Sequence, residues 1–223
     1  MKIVSKNTLL ACMLAAASCG AFAADSVDLK ITGTIVPPSC MPTLSGGGIV
    51  DFGRIPASSL SATAFTNAGA KTTTLNLTCD APARVALQII DDRSSTTVPG
   101  LMRAVNGALT GDGAQFGLGA VSGKNIGSYT MLLETPTVMP GSYTGFSRSA
   151  DNGASWGSMG QNFRMTAGNL LSWSNTNGGT PVAIASVTQN IQIQVGLNKT
   201  GNLPDLKQEV PLDGMATFSV VYL

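Results

Sequence analysis

The sequence predicts an all-β domain built as a sandwich or barrel. Two observations carry that prediction: apolar residues recur mostly at every second position, and glycine-rich turn signals divide the resulting runs. No convincing helical period, of any length, competes with them.

The chain opens on a segment that precedes the domain. Met1, Lys2 and Lys6 lead into an uncharged apolar run from Leu9 to Ala17, and small residues follow up to Ala21-Phe22-Ala23. That is the plan of a secretory signal peptide over residues 1–23, cleaved before Ala24. The run falls well short of the ~20 residues a membrane-spanning helix requires. Lipidation at Cys19 is a second reading of Ala17-Ser18-Cys19, although Ala16 stands where such signals usually carry Leu. Residues 24–223 then form a single domain of 200 residues.

Val27, Leu29, Ile31 and Ile35 alternate with Asp28, Lys30, Thr32 and Thr34, the period of a half-buried strand. Thr73, Leu75 and Leu77 lead into Cys79, and Val85, Leu87 and Ile89 follow after Pro82. Ile191, Ile193 and Val195 repeat the pattern, as do Phe218, Val220 and Tyr222. Turns are expected at Ser45 to Gly48, Asp112-Gly113, Asn152-Gly153 and Asn177-Gly178-Gly179. Ala104 to Gly127 and Ser147 to Gly179, rich in Gly, Ser and Asn, read as long hairpins or loops.

Cys12 and Cys19 leave with the leader, so the mature chain keeps Cys40 and Cys79, and an even pair in an oxidising compartment reads as one disulfide. A zinc site would need four ligands, and the chain contains no His. Lys2 and Lys6 also leave, so 11 basic residues face 12 acidic ones, which steers toward neither nucleic acid nor a polyanionic surface. Charged residues make up only 11% of the chain, and Thr, Ser, Asn and Gly keep its surface polar.

Without His the commonest general base is missing, along with every Ser-His or Cys-His nucleophile. Asp91 and Asp92 are adjacent on a strand and point to opposite faces, so a solvated strand end is favoured over a cation site. Gly117, Gly119 and Gly123 miss the phosphate-loop spacing, because Ser122 takes the third glycine position and Asn125 follows Lys124. Ser149-Ala150-Asp151-Asn152-Gly153-Ala154-Ser155-Trp156 fits the Asp-box pattern, and is expected to be a stabilised hairpin rather than a sugar site. Trp156 and Trp173 could form a stacking platform for a host or surface glycan, or could pin their loops to the domain, the commoner use of aromatics. No metal, cofactor or catalytic residue is expected.

Gly33-Thr34-Ile35-Val36-Pro37-Pro38-Ser39-Cys40 resembles the first strand of chaperone–usher fimbrial subunits. Val50 to Ile55 followed by Leu60 resembles their second strand, Leu75 to Asp80 the strand carrying the partner Cys, and the ending with Tyr222 their last strand. Phe116-Gly117-Leu118-Gly119, Ile126 to Tyr129, and Pro211 to Gly214 running on to Leu223 are similar to the GltF-like group, fimbria-associated proteins of poorly defined function.

The resemblance implies an immunoglobulin-like, pilin-type sandwich lacking its last strand. Its partners would be a periplasmic chaperone, an outer-membrane usher and neighbouring subunits, on the way to a fimbrium or the cell surface. Val27, Leu29 and Ile31 would then be a donor strand, and Phe218, Val220, Tyr222 and Leu223 would be the strand that pairs with the chaperone. The extension before Gly33 has only nine residues from Ala24, so either the donor strand overlaps the first strand or the subunit ends or caps a fibre; with the long loops, a minor or tip position fits better than a major pilin.

Overall fold

The computed structural model describes residues 26–134, 144–159 and 163–223. The signal peptide over 1–23, its cleavage before Ala24 and the alternative lipidation at Cys19 lie outside the described residues. The chain divides into a segment ending at Val36 and a domain over Pro37–Leu223. In the segment, residues 26–36 are exposed and form no strand.

Among the described residues the domain carries ten strands: β1 (Cys40–Leu44), β2 (Thr66–Asp91), β3 (Phe116–Gly117), β4 (Ala120–Val121), β5 (Lys124–Asn125), β6 (Gly127–Leu133), β7 (Gly145–Ser149), β8 (Leu170–Ser174), β9 (Ala183–Leu197) and β10 (Ala216–Tyr222). A 3-10 turn over Ser94–Thr96 and the α-helical turn α1 (Leu101–Val105) lie between β2 and β3. All pairings are antiparallel, and the fold is the all-β sandwich the alternation predicts.

The 26-residue β2 organises both layers. Its ladder with β9 shifts register between Thr78 and Ala83, where Pro82 has no N–H to donate. Before the shift β2 pairs with β9 and β1; after it β9 keeps only Ala83 and Arg84, and from Val85 onward β2 pairs with β10 and β8. One layer therefore runs β1-β2-β9-β6-β3 and the other β10-β2-β8-β7. The two runs expected around Thr73–Cys79 and Val85–Ile89 are one strand bent at this corner.

Leu75, Leu77, Val85, Leu87 and Ile89 of β2 meet Val187 and Ile191 of β9, Met131 and Leu133 of β6 and Trp173 of β8 in one core. Burying each aliphatic side chain contributes about 1.5–3 kcal/mol.

The alternating run from Val27 to Ile35 is unpaired, and the first strand starts at Cys40, not Gly33. Pro37-Pro38 explains the late start, since neither residue can donate to a ladder. Val50 to Ile55 forms no strand either: Gly53 adopts φ +68° and its N–H bonds the Asp51 carboxylate, closing a turn. Asp91 is not a solvated strand end. It is buried, and its carboxylate accepts N–H bonds from Arg93 and Gly117, both at 2.9 Å. Gly117 is glycine because a Cβ there would stand 1.9 Å from the Arg93 carbonyl oxygen. The helix α1 is too short for periodicity to register, and it seats Leu101 and Met102 against Gly196 on the outer face of β9.

Candidate functional site

Among the described residues, β1 and β10 each pair with β2 alone. They sit on opposite sides of the corner, β1 against Leu75–Cys79 and β10 against Val85–Asp91. At the corner they are tied, the Cys40 N–H donating to the Tyr222 hydroxyl at 2.7 Å. Farther along they part, leaving a groove over Leu75 lined by Pro42, Leu44, Ala216 and Phe218. The groove continues into a cavity of about 1300 Å³ whose lining includes Tyr129, Met131, Ile191, Ile193 and Val195. Protein interiors are normally filled to crystal density, so a trench of this size stands apart from the packed core.

The walls are built by the sequence pattern. Alternation in β10 turns Ala216, Phe218 and Val220 toward the core, where they stay only half-buried. Cys40 and Cys79 are directly opposed in the β1–β2 ladder and are joined as a disulfide, which holds β1 in place as a wall. Tyr222 and Leu223 are about half exposed.

Two irregular segments flank the cavity, a loop over 49–60 and a strap over 203–215 that leads into β10. Arg93 grips Asp213 at the end of the strap with two bonds of 2.9 and 3.1 Å, and this hydrogen-bonded partner raises the pKa of the Arg93 guanidinium. Burial, followed by the charges of Asp91 and Asp92, raises the pKa of the Tyr129 phenol. It is neutral at ordinary pH and adds no charge to the trench.

The Asp-box residues form the expected hairpin at the opposite end of the β7 sequence. Asp151 accepts from the Ser149 hydroxyl at 2.6 Å, from the Ser155 N–H at 2.9 Å and from the Ser155 hydroxyl at 2.5 Å. These bonds pull its carboxyl down to about 2. Asn152 and Gly153 take the left-handed conformations of the turn, at φ +57° and +94°. Trp156 is half-buried against this turn.

Trp173 does not share a platform with Trp156. It lies on β8 and is fully buried in the core, so it cannot stack on a sugar. Of the other expected site residues, Phe218 lines the trench, Val220 packs against the core and Tyr222 is tied to Cys40 at the corner, and Val27, Leu29 and Ile31 are each at least 87% exposed in the separate segment. Among the described residues no three His, Cys, Asp or Glu side chains cluster as metal ligands. The loop and the strap were not legible beforehand. Their one hint, alternation of Val210 and Leu212 around Pro211, is too short to register.

A family model described as "Protein of unknown function (DUF1120)" matches residues 29–130. GltF of Escherichia coli (strain K12) is 31% identical, over 98% of this chain and 98% of GltF. A second relative from the same organism, "Uncharacterized protein YhcF", is 26% identical over 90% of this chain and 92% of its own length.

Proposed function

The chain belongs to the GltF family, and on the strength of its open trench we propose that it is a structural subunit of a chaperone–usher fimbria or fimbria-like surface assembly, in a minor or tip position, joining its partners by β-strand donation. The observation that carries this reading is the pair of strands β1 and β10, whose second edges are unpaired among the described residues, on either side of an apolar trench. An edge strand with free N–H and C=O groups is a template for another strand, and a protein that leaves one uncovered courts aggregation. A periplasmic chaperone would cover it first, pairing with Phe218, Val220 and Tyr222 and holding the carboxylate of Leu223. An outer-membrane usher would then exchange the chaperone for the next subunit.

Val27, Leu29 and Ile31 supply the complementary part. They alternate with polar residues and stand exposed without a partner strand, so the same segment of a neighbouring copy or subunit can add to β10 and lower its apolar side chains into the trench. The work of such a protein is mechanical, and no catalytic residue is assigned. Export is part of the proposal: oxidation of Cys40 and Cys79 requires it, and the leader supplies it.

Co-expression with a chaperone from the same assembly type, followed by electrophoresis of periplasmic extract with and without boiling, tests the reading. A ladder that survives detergent and collapses on heating is the expected result. A monomer that forms no ladder and never co-purifies with a chaperone overturns it.

A further inference from the structure

The trench has a roof at one end. The loop over 49–60 continues from the wall strand β1, and the strap over 203–215 leads into the wall strand β10. Their charged tips meet on the solvent side of the cavity, where Arg54 Nη2 lies 2.8 Å from Glu209 Oε1.

The strap is tied at its ends. Lys124 holds the Leu203 carbonyl at 2.8 Å, and the Asp213 N–H bonds the Leu118 carbonyl at 3.1 Å beside the Arg93 clamp. Between Leu206 and Leu212 the Arg54–Glu209 pair is the one polar tie that leaves the strap among the described residues. Among the described residues the loop is likewise bonded mainly within itself and to the adjoining Gly46 carbonyl, its ties to β2 coming from Lys71, which donates to the Asp51 carbonyl at 2.6 Å and lies 5.7 Å over the Phe52 ring. A segment fixed at both ends and held in the middle by apolar contacts and one exposed ion pair can lift without breaking a sheet.

The geometry points to a gate: the loop and the strap close over the trench, and the Arg54–Glu209 pair latches them. This rests on the strand-accepting reading above, since the gate governs entry into that trench. The latch is weak by construction, because both side chains are at least 88% exposed and such pairs are screened by water and salt. A weak latch keeps apolar walls shielded in a free subunit and yields to an incoming strand that gains a full ladder.

The test is the entry rate of two probes, the apolar dye ANS and a synthetic peptide of residues 26–36, into the full mature protein. Arg54→Glu sets like charges against each other and is expected to speed dye entry about fivefold in low salt. The swap R54E/E209R should restore the original rate, and about 1 M salt, with its Debye length of ~3 Å, should erase the difference. Both positions are solvent-exposed, so circular dichroism should show unchanged folding. Entry that is the same in all variants overturns the gate, as does a swap that fails to restore the rate or a trench that neither probe enters. If the dye obeys the charge pattern while the peptide never binds, the gate stands and the strand-accepting reading falls.

Discussion

β8 and β10 flank the same stretch of β2: Leu87 faces Leu171 on one side and Val220 on the other. Every residue of β8 is buried, whereas none of β10 is. The two strands have the same central neighbour and comparable apolar content, so composition does not set them apart. β8 is covered by β7 on its far edge and by the core on its face, while among the described residues β10 has neither a strand on its far edge nor a filled space over Phe218. One side of the sandwich is filled within the chain. The other keeps an open trench beside β10, the feature on which the strand-accepting proposal rests.

The comparison breaks most visibly under truncation. Trp173→Ala on the finished side should cost about 5 kcal/mol in urea unfolding, whereas Phe218→Ala on the open side should cost about 1–2 kcal/mol in the isolated protein yet weaken binding of a donor peptide. Equal losses would mean that the two sides are equally packed.

Next in size is the disulfide. C40A/C79A should lose about 4 kcal/mol by the loop-closure argument for a loop of about 40 residues, and should release β1 as a wall so that peptide capture falls with stability. Loss of stability with undiminished capture would show that β1 is not a wall.

Gly117→Ala probes the finished region again. A methyl would meet the Arg93 backbone carbonyl, which cannot yield as a side chain can, and about 2 kcal/mol of stability should go, read as a lower urea midpoint.

The smallest effect is expected at the exposed Asp-box turn. The folded carboxyl of Asp151 is depressed to about 2 from an ordinary 3.8. It therefore contributes stability that is present above pH 4 and is lost as the pH falls toward 2. Asp151→Asn should be less stable than the natural protein at pH 6, with most of that deficit gone at pH 2, in denaturant midpoints, and with peptide capture untouched throughout.

How far the sequence foretold these regions follows the same division. Period-two alternation in Thr73–Cys79, Ile191–Val195 and Phe218–Tyr222 located strands correctly, because each has one face on the core and one in solvent. The Asp box was legible because a turn is a local device: Asp151, Gly153 and Ser155 act on their immediate neighbours. Alternation at Val27–Ile35 misled as to a paired strand within the domain, since a segment that suits a sheet shows the same pattern with or without a partner. The burial of Trp173, the strap and the Arg54–Glu209 latch are products of contacts distant in sequence, the latch joining residues 155 positions apart. No local spacing encodes them.

The most direct test of the account is amide hydrogen exchange in β10 with and without the peptide of residues 26–36. Alternate N–H groups of β10 point away from β2 and should exchange rapidly in the free protein while β8 is protected, then slow markedly when the peptide is bound. If β10 is already as protected as β8, or is unchanged by saturating peptide, the trench does not accept a strand and the account fails.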